Sequence, residues 1–234
     1  MNQISLSENF IQVADKAGGP SFGGNQGWFS GDKFGNLSRQ GCGVIAAVDT
    51  LLYLSGCYDN SFEKYSHEVD VFCQNRRLAK LFIKEILFRK YDNFSFAIGI
   101  LPIQISGFLN RQMKSSGRKM HFKWNGIHGH RDLYFKMKSM ISGNIPVIWS
   151  LYSHGKQIKL YVKNPADRFV YSGMDVNNHY VTATAVYEDC SKEHPKMIEI
   201  SSWGKKYYID FDEYLEYVGN SLINKYCSNI LYIK

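Results

Sequence analysis

"QGCGVIAAVDTLLYL", residues 40–54, sets a cysteine between two glycines at the head of an apolar run. Apolar residues at 44, 45, 47, 48, 51, 52 and 54 nearly encircle a helical wheel, which predicts a central, buried helix from Gly43 to Leu54. Gly56 is placed to end it. Cys42 then stands at a helix N-terminus, beside unpaired backbone N–H groups and the positive end of the helix dipole. Both favour thiolate over thiol, and thiolate is the nucleophilic form. Gly41 and Gly43 remove side chains on either side, leaving room for a substrate, and the Cys42 N–H could donate to a developing oxyanion. The competing reading is a small buried hydrophobe.

The surroundings decide what kind of domain this helix serves. Just before it, residues 17–36 hold seven glycines and one proline, a loop of tight turns. Neither GxGxxG nor GxxxxGK[ST] occurs, so this is not a dinucleotide or phosphate loop. Beyond it, residues 62–90 predict one or two helices, residues 101–115 another with Pro102 in its first turn, and "RDLYFKMKSMI" a short one. The texture changes at Asn144. "IPVIWSLYS", "KQIKLYVKN", "HYVTATAVYE", "KMIEISSW" and "KKYYIDF" are β-branched and aromatic runs separated by turn residues, the last two spaced as a tight hairpin. A short helix, "DEYLEYV", capped by an Asp210-x-x-Glu213 arrangement, precedes a last strand, "NILYIK". Helices first and an antiparallel sheet second is an α+β order. The expectation is a single domain over residues 1–234, with a helical lobe over about 1–143 and a β lobe over about 144–234.

Composition excludes several classes. With 234 residues, 44% hydrophobic and 21% charged, the chain reads as an ordered, soluble domain with a sizeable core. No apolar run approaches the ~20 residues of a membrane span, and the N-terminus has no basic segment leading into an apolar one. The five cysteines, at 42, 57, 73, 190 and 227, are odd in number and lack CxxC pairing. That argues against a disulfide framework and for a reducing, cytoplasmic compartment. The net charge of +7 is uneven: residues 76–138 hold fourteen Lys/Arg against three Asp/Glu. Such a stretch could attract nucleic acid, an anionic surface or an acidic substrate, but no nucleic-acid motif accompanies it, and solvated helix faces explain it as well.

A nucleophilic cysteine needs a base. Among seven histidines, His67 lies in a polar helix, and His154 and His194 in turn-like contexts. His121, His128 and His130 fall in "HFKWNGIHGH", which lacks the accompanying ligands of a metal site, so no metal or other cofactor is expected. His179 differs. It opens the apolar strand "HYVTATAVYE" after an Asn-rich turn, at the rim of a sheet and 137 residues beyond Cys42.

"QGCGVIAAVDTLL", "NNHYVTATAVYE" and "IEISSWGKKYYIDFDEYLEYV", in that order, resemble the papain-like cysteine peptidases, and most of all the bacterial bacteriocin-processing-type peptidases. The similarity covers about residues 26–54 and 144–220. It implies a papain-like fold, a helical lobe facing a β lobe across a cleft, and an acyl-enzyme peptidase or amidase acting on a peptide or small amide. Cys42 would be the nucleophile and His179 the general base. Gln26, in "NQGWF", would serve the oxyanion hole with the Cys42 N–H, with Asn36 second and Gln40 too near the turn. The family's orienting Asn or Asp falls on Ser201 in "SSWG". A serine could accept from the imidazole Nδ1–H, but it is shorter and neutral, and Asp175 or Asn177 could substitute. Trp203 matches the tryptophan that shields this hydrogen bond. The departure at Ser201 keeps open a catalytically weak or inactive relative that binds peptide in the same cleft.

Overall fold

The computed structural model describes residues 1–15, 17–30, 37–87, 100–153, 156–219 and 221–234, with only the helical backbone over 75–87. The strands are β1 (Asn2–Ser5), β2 (Gln12–Ala14), β3 (Pro20–Phe22), β4 (Asp59–Asn60), β5 (Phe122–Trp124), β6 (Val147–Leu151), β7 (Ile158–Lys163), β8 (Phe169–Val176), β9 (His179–Glu188), β10 (Lys196–Ser202), β11 (Lys205–Asp210) and β12 (Leu231–Ile233). The helices are α1 (Leu37–Gln40), α2 (Cys42–Leu54), α3 (Phe62–Leu87), α4 (Pro102–Ser115), α5 (Leu133–Ser142), α6 (Phe211–Val218) and α7 (Leu222–Cys227). Short 3-10 turns cover Gln26–Phe29 and Gly126–His128. The fold is α+β.

α2 is the expected central helix. Every residue from Gly43 to Leu54 is buried, and Gly56 takes φ +73° as the chain leaves. It packs on β9 on one side and on α3 and α4 on the other. The glycines flanking Cys42 serve this packing rather than substrate access. A Cβ on Gly43 would lie 3.1 Å from the Tyr180 ring, and one on Gly41 would lie 2.3 Å from the Leu37 carbonyl oxygen. Residues 62–87 form one helix, not two.

The main sheet runs β1-β9-β10-β11-β7-β8, with β6 also paired to β9. All its pairings are antiparallel. β9 is buried from Val181 to Tyr187 because it lies between partners and under helices, so its sequence reads as a continuous apolar run rather than an alternation. The edge strand β1 comes from the N-terminal end, and β5 crosses to pair with β12. The boundary near residue 143 is therefore a change of texture, and both ends of the chain cross it. One apolar cluster, from Ile11 and Val48 through Trp149 to Ile200, runs across it as well.

The β10–β11 hairpin matters most for the site. Ser202 pairs with Lys205, leaving Trp203 and Gly204 as a two-residue loop with φ +50° and +72°. Positive φ at both central residues is the turn whose twist suits a hairpin. Glycine adopts it freely; a tryptophan there is strained by roughly 1–2 kcal/mol. α6 begins as expected, with Asp210 accepting from the N–H groups of Asp212 (2.9 Å) and Glu213 (3.0 Å). Among the described residues no helix is long and apolar enough to cross a membrane.

Of the basic segment, residues 88–99 and the side chains of 75–87 lie outside the described set. In the remainder, Lys136 donates to Asn125 (2.6 Å) and Lys138 pairs with Glu188 (2.8 Å), so two of its charges are tied into the fold.

Candidate active site

α2 and β9 meet at their starting ends, which brings Cys42 and His179 into the wall of one narrow cleft. Gln26, Ile45, Ala46, Asp49, Thr182, Ser201, Ser202 and Trp203 complete most of its lining. Cys42, Ile45, Ala46 and Asp49 follow the three- and four-residue spacing of one helix face.

Backbone N–H groups of Tyr180, Gly43 and Cys42 itself lie on the side of the Cys42 sulfur where they lower its pKa. These donors favour thiolate, yet burial outweighs them and pushes the Cys42 thiol up from its ordinary value. The helix terminus favours thiolate and burial opposes it: packing around the sulfur removes water that would solvate its charge.

Cys42 is half-buried, whereas His179 is buried, and burial lowers its pKa to about 4. Its Nε2 lies 2.7 Å from Ser202 Oγ. The indole of Trp203 covers the imidazole, with ring centroids 4.6 Å apart and planes 23° apart. In the tautomer whose Nε2–H donates to Ser202, Nδ1 keeps its lone pair and is the basic nitrogen.

The orienting group expected at Ser201 thus falls one residue later, on Ser202, and the ring nitrogen it meets is Nε2 rather than Nδ1. Alternation along β10 explains the change, because adjacent side chains point to opposite faces. Ser201 Oγ instead donates to the Phe22 carbonyl (2.8 Å). Neither proposed substitute reaches the imidazole. Asp175 accepts from Tyr171 (3.0 Å), and Asn177 is tied to the backbone of Ser153, whose N–H it accepts at 2.8 Å.

Gln26 begins the 3-10 turn that Asn25 caps, with Asn25 Oδ1 accepting the Gly27 N–H (2.8 Å). Its Nε2 donates one hydrogen to the Ser38 carbonyl (3.0 Å), which orients the amide in the cleft wall, and its second hydrogen has no partner among the described residues. Asn36 lies outside the described residues. Gln40 belongs to α1, the short helix packed against that turn.

Other histidines have local partners. His130 Nε2 contacts the Ser228 carbonyl (2.7 Å), and His194 Nδ1 pairs with Asp210 (2.6 Å). His67, His121 and His128 are exposed, and His154 is outside the described residues. Among the described residues no group of His, Cys, Asp or Glu is arranged to hold a metal ion. None of the five cysteines is in a disulfide.

Asp49 is the site residue that sequence reasoning passed over. It is 1% exposed, accepts from Tyr65 Oη (2.6 Å) and the Gly24 N–H (3.1 and 3.2 Å), and burial raises its pKa to about 7. The signal was visible: a lone acid in an otherwise apolar helix, two turns after the cysteine and on the same face.

No family model, no curated protein and no solved structure matches this chain.

Proposed function

We propose that the chain is a papain-like cysteine peptidase or related thiol amidase, with Cys42 as nucleophile and His179 as base. The observation that carries the reading is the shared cleft, whose wall holds both Cys42 and His179. The imidazole is also held by Ser202 and covered by Trp203.

The chemistry follows from the groups. His179 Nδ1 takes the Cys42 proton as sulfur attacks the amide carbonyl, forming the S–C bond. The oxyanion is met by the Cys42 N–H and the second hydrogen of the Gln26 amide. Collapse breaks the C–N bond, and the imidazolium protonates the leaving amine. Water, deprotonated by the same imidazole, then releases the acid and restores the thiol. Because burial favours the neutral forms of both side chains, the ion pair forms on substrate engagement rather than in the free protein.

The test is release of amine from a panel of fluorogenic peptides and small amides, compared with Cys42→Ala and His179→Ala. Turnover lost in both variants supports the reading; turnover that survives Cys42→Ala removes it.

A second reading, an inactive peptide-binding relative, is favoured by one observation: a neutral serine stands where a stronger orienting group would support an imidazolium. Peptide binding without turnover, unchanged by Cys42→Ala, would select it.

A further inference from the structure

Residues 22–24 form a short strap between α2 and the β10–β11 hairpin, and every backbone polar group in it is engaged. The Phe22 N–H donates to the Gly204 carbonyl (2.8 Å), and the Phe22 carbonyl accepts from Ser201 Oγ (2.8 Å). The Gly23 N–H donates to the Ile11 carbonyl (2.9 Å), and the Gly23 carbonyl accepts from Ser21 Oγ (2.6 Å). The Gly24 carbonyl accepts the Gly204 N–H (2.9 Å). The remaining group, the Gly24 N–H, goes to Asp49 (3.1 and 3.2 Å). Five of these six bonds anchor the strap to the hairpin, through Gly204 and Ser201, to Ile11 or to Ser21 of β3. The bond from Asp49 alone ties it to the helix that carries Cys42.

The approach is close enough to exclude side chains from the strap. A Cβ on Gly23 would lie 2.2 Å from Ser201 Oγ and 2.6 Å from Asp49 Oδ2, and one on Gly24 would lie 1.9 Å from Tyr65 Oη. Two residues beyond Gly24, the chain turns into the 3-10 segment that begins with Gln26.

We propose that Asp49 is a positioning residue for the oxyanion side of the site: its carboxylate, oriented by Tyr65, clamps the strap to α2 and so sets where the Gln26 amide stands relative to the Cys42 N–H. This inference rests on the cysteine hydrolase reading above. Asp49 does not touch the reacting atoms in this role. It holds together two oxyanion donors that come from separate segments, one from the head of α2 and one from the loop before it. A buried carboxyl suits this work, because its Oδ1 accepts from both Tyr65 Oη and the Gly24 N–H. An asparagine can keep the arrangement, accepting the Gly24 N–H through Oδ1 and donating to Tyr65 Oη. An alanine cannot.

The experiment compares two reactions of the full chain at Cys42. Acylation by p-nitrophenyl acetate passes through an oxyanion; alkylation by iodoacetamide displaces iodide and forms none. The variants are Asp49→Ala and Asp49→Asn, with Asp49→Ser used in the same way if alanine prevents folding. The expected result is a fall of roughly tenfold or more in acylation for Asp49→Ala. Alkylation should stay within about twofold, and Asp49→Asn should keep most of the acylation rate. Equal losses in both reactions, or no loss in either, overturn the inference. Hydrogen exchange at the Gly24 amide separates this from failure of the hydrolase reading. Faster exchange in Asp49→Ala with α2 unchanged supports the clamp, whereas unchanged exchange overturns it. A wild-type protein with no Cys42-dependent acylation overturns the hydrolase reading and, with it, the oxyanion role given to the clamp.

Discussion

The indole of Trp203 lies on the imidazole of His179 with centroids 4.6 Å apart, and it does so from a backbone position with φ +50° that tryptophan adopts only under strain. Backbone strain that persists at a site is held there by its surroundings. Here the strained turn places the ring that keeps water from the His179–Ser202 contact. Trp203→Gly relieves the turn and removes the cover. The expected outcome is a His179 pKa rising from about 4 towards the ordinary 6.5, read from the ring proton shifts across a pH titration. A value that stays near 4 would assign the burial to other neighbours.

The same depressed pKa makes a stability prediction. The folded state holds His179 neutral, while the unfolded chain takes up the proton near 6.5. The contribution is therefore fully present above pH 6.5 and is lost as pH falls through the folded value near 4. Its size is about 3 kcal/mol. Denaturant titrations of wild type and His179→Gln should show a shallower acid loss in the variant over this window.

Ser202 and Ser201 are neighbours with separable tasks. Ser202→Ala removes the partner of a buried ring nitrogen, and turnover is expected to fall at least about tenfold. Ser201→Ala removes the donor to the Phe22 carbonyl and is expected to cost about 1 kcal/mol of stability with a smaller effect on rate. Kinetics and denaturant midpoints on the two variants check the division, and a larger kinetic loss at Ser201 would reverse it.

Burial raises the Cys42 pKa in the free protein. The rate of iodoacetamide alkylation should therefore still be rising above pH 9, with no acidic plateau. A plateau below pH 7 would reveal a resting thiolate–imidazolium pair and contradict the neutral pair described above.

Asp49 carries the opposite sign to His179. Its carboxyl pKa is raised to about 7, so the folded state holds the proton more tightly than the unfolded chain does. Its stabilising contribution is present below the ordinary value near 3.8 and is lost as pH rises through 7. Tyr65 faces it as a donor, and Cys42, His179 and Tyr180 are the other titratable groups in the cleft lining. Asp49→Asn has no proton to lose. Its stability relative to wild type should therefore be more favourable at pH 8 than at pH 5, by about 2 kcal/mol.

By itself the sequence determined the α+β order, the buried helix behind Cys42, the apolar strand behind His179 and the cap at Asp210, because each rests on periodicity or turn chemistry within a few residues. The short strands β1 to β5 carried no such pattern, since pairing with distant partners rather than local alternation makes them strands. The site divides in the same way. Cys42, His179 and Gln26 were legible as residue types at the ends of elements, whereas Ser202 in place of Ser201 depended on which face of β10 turns inward. The neutral resting pair and the strap held by Asp49 were decided only in three dimensions. Burial and hydrogen-bond partners arise from segments far apart in the chain, and these set the charge of a thiol, an imidazole and a carboxylate more strongly than their immediate neighbours do.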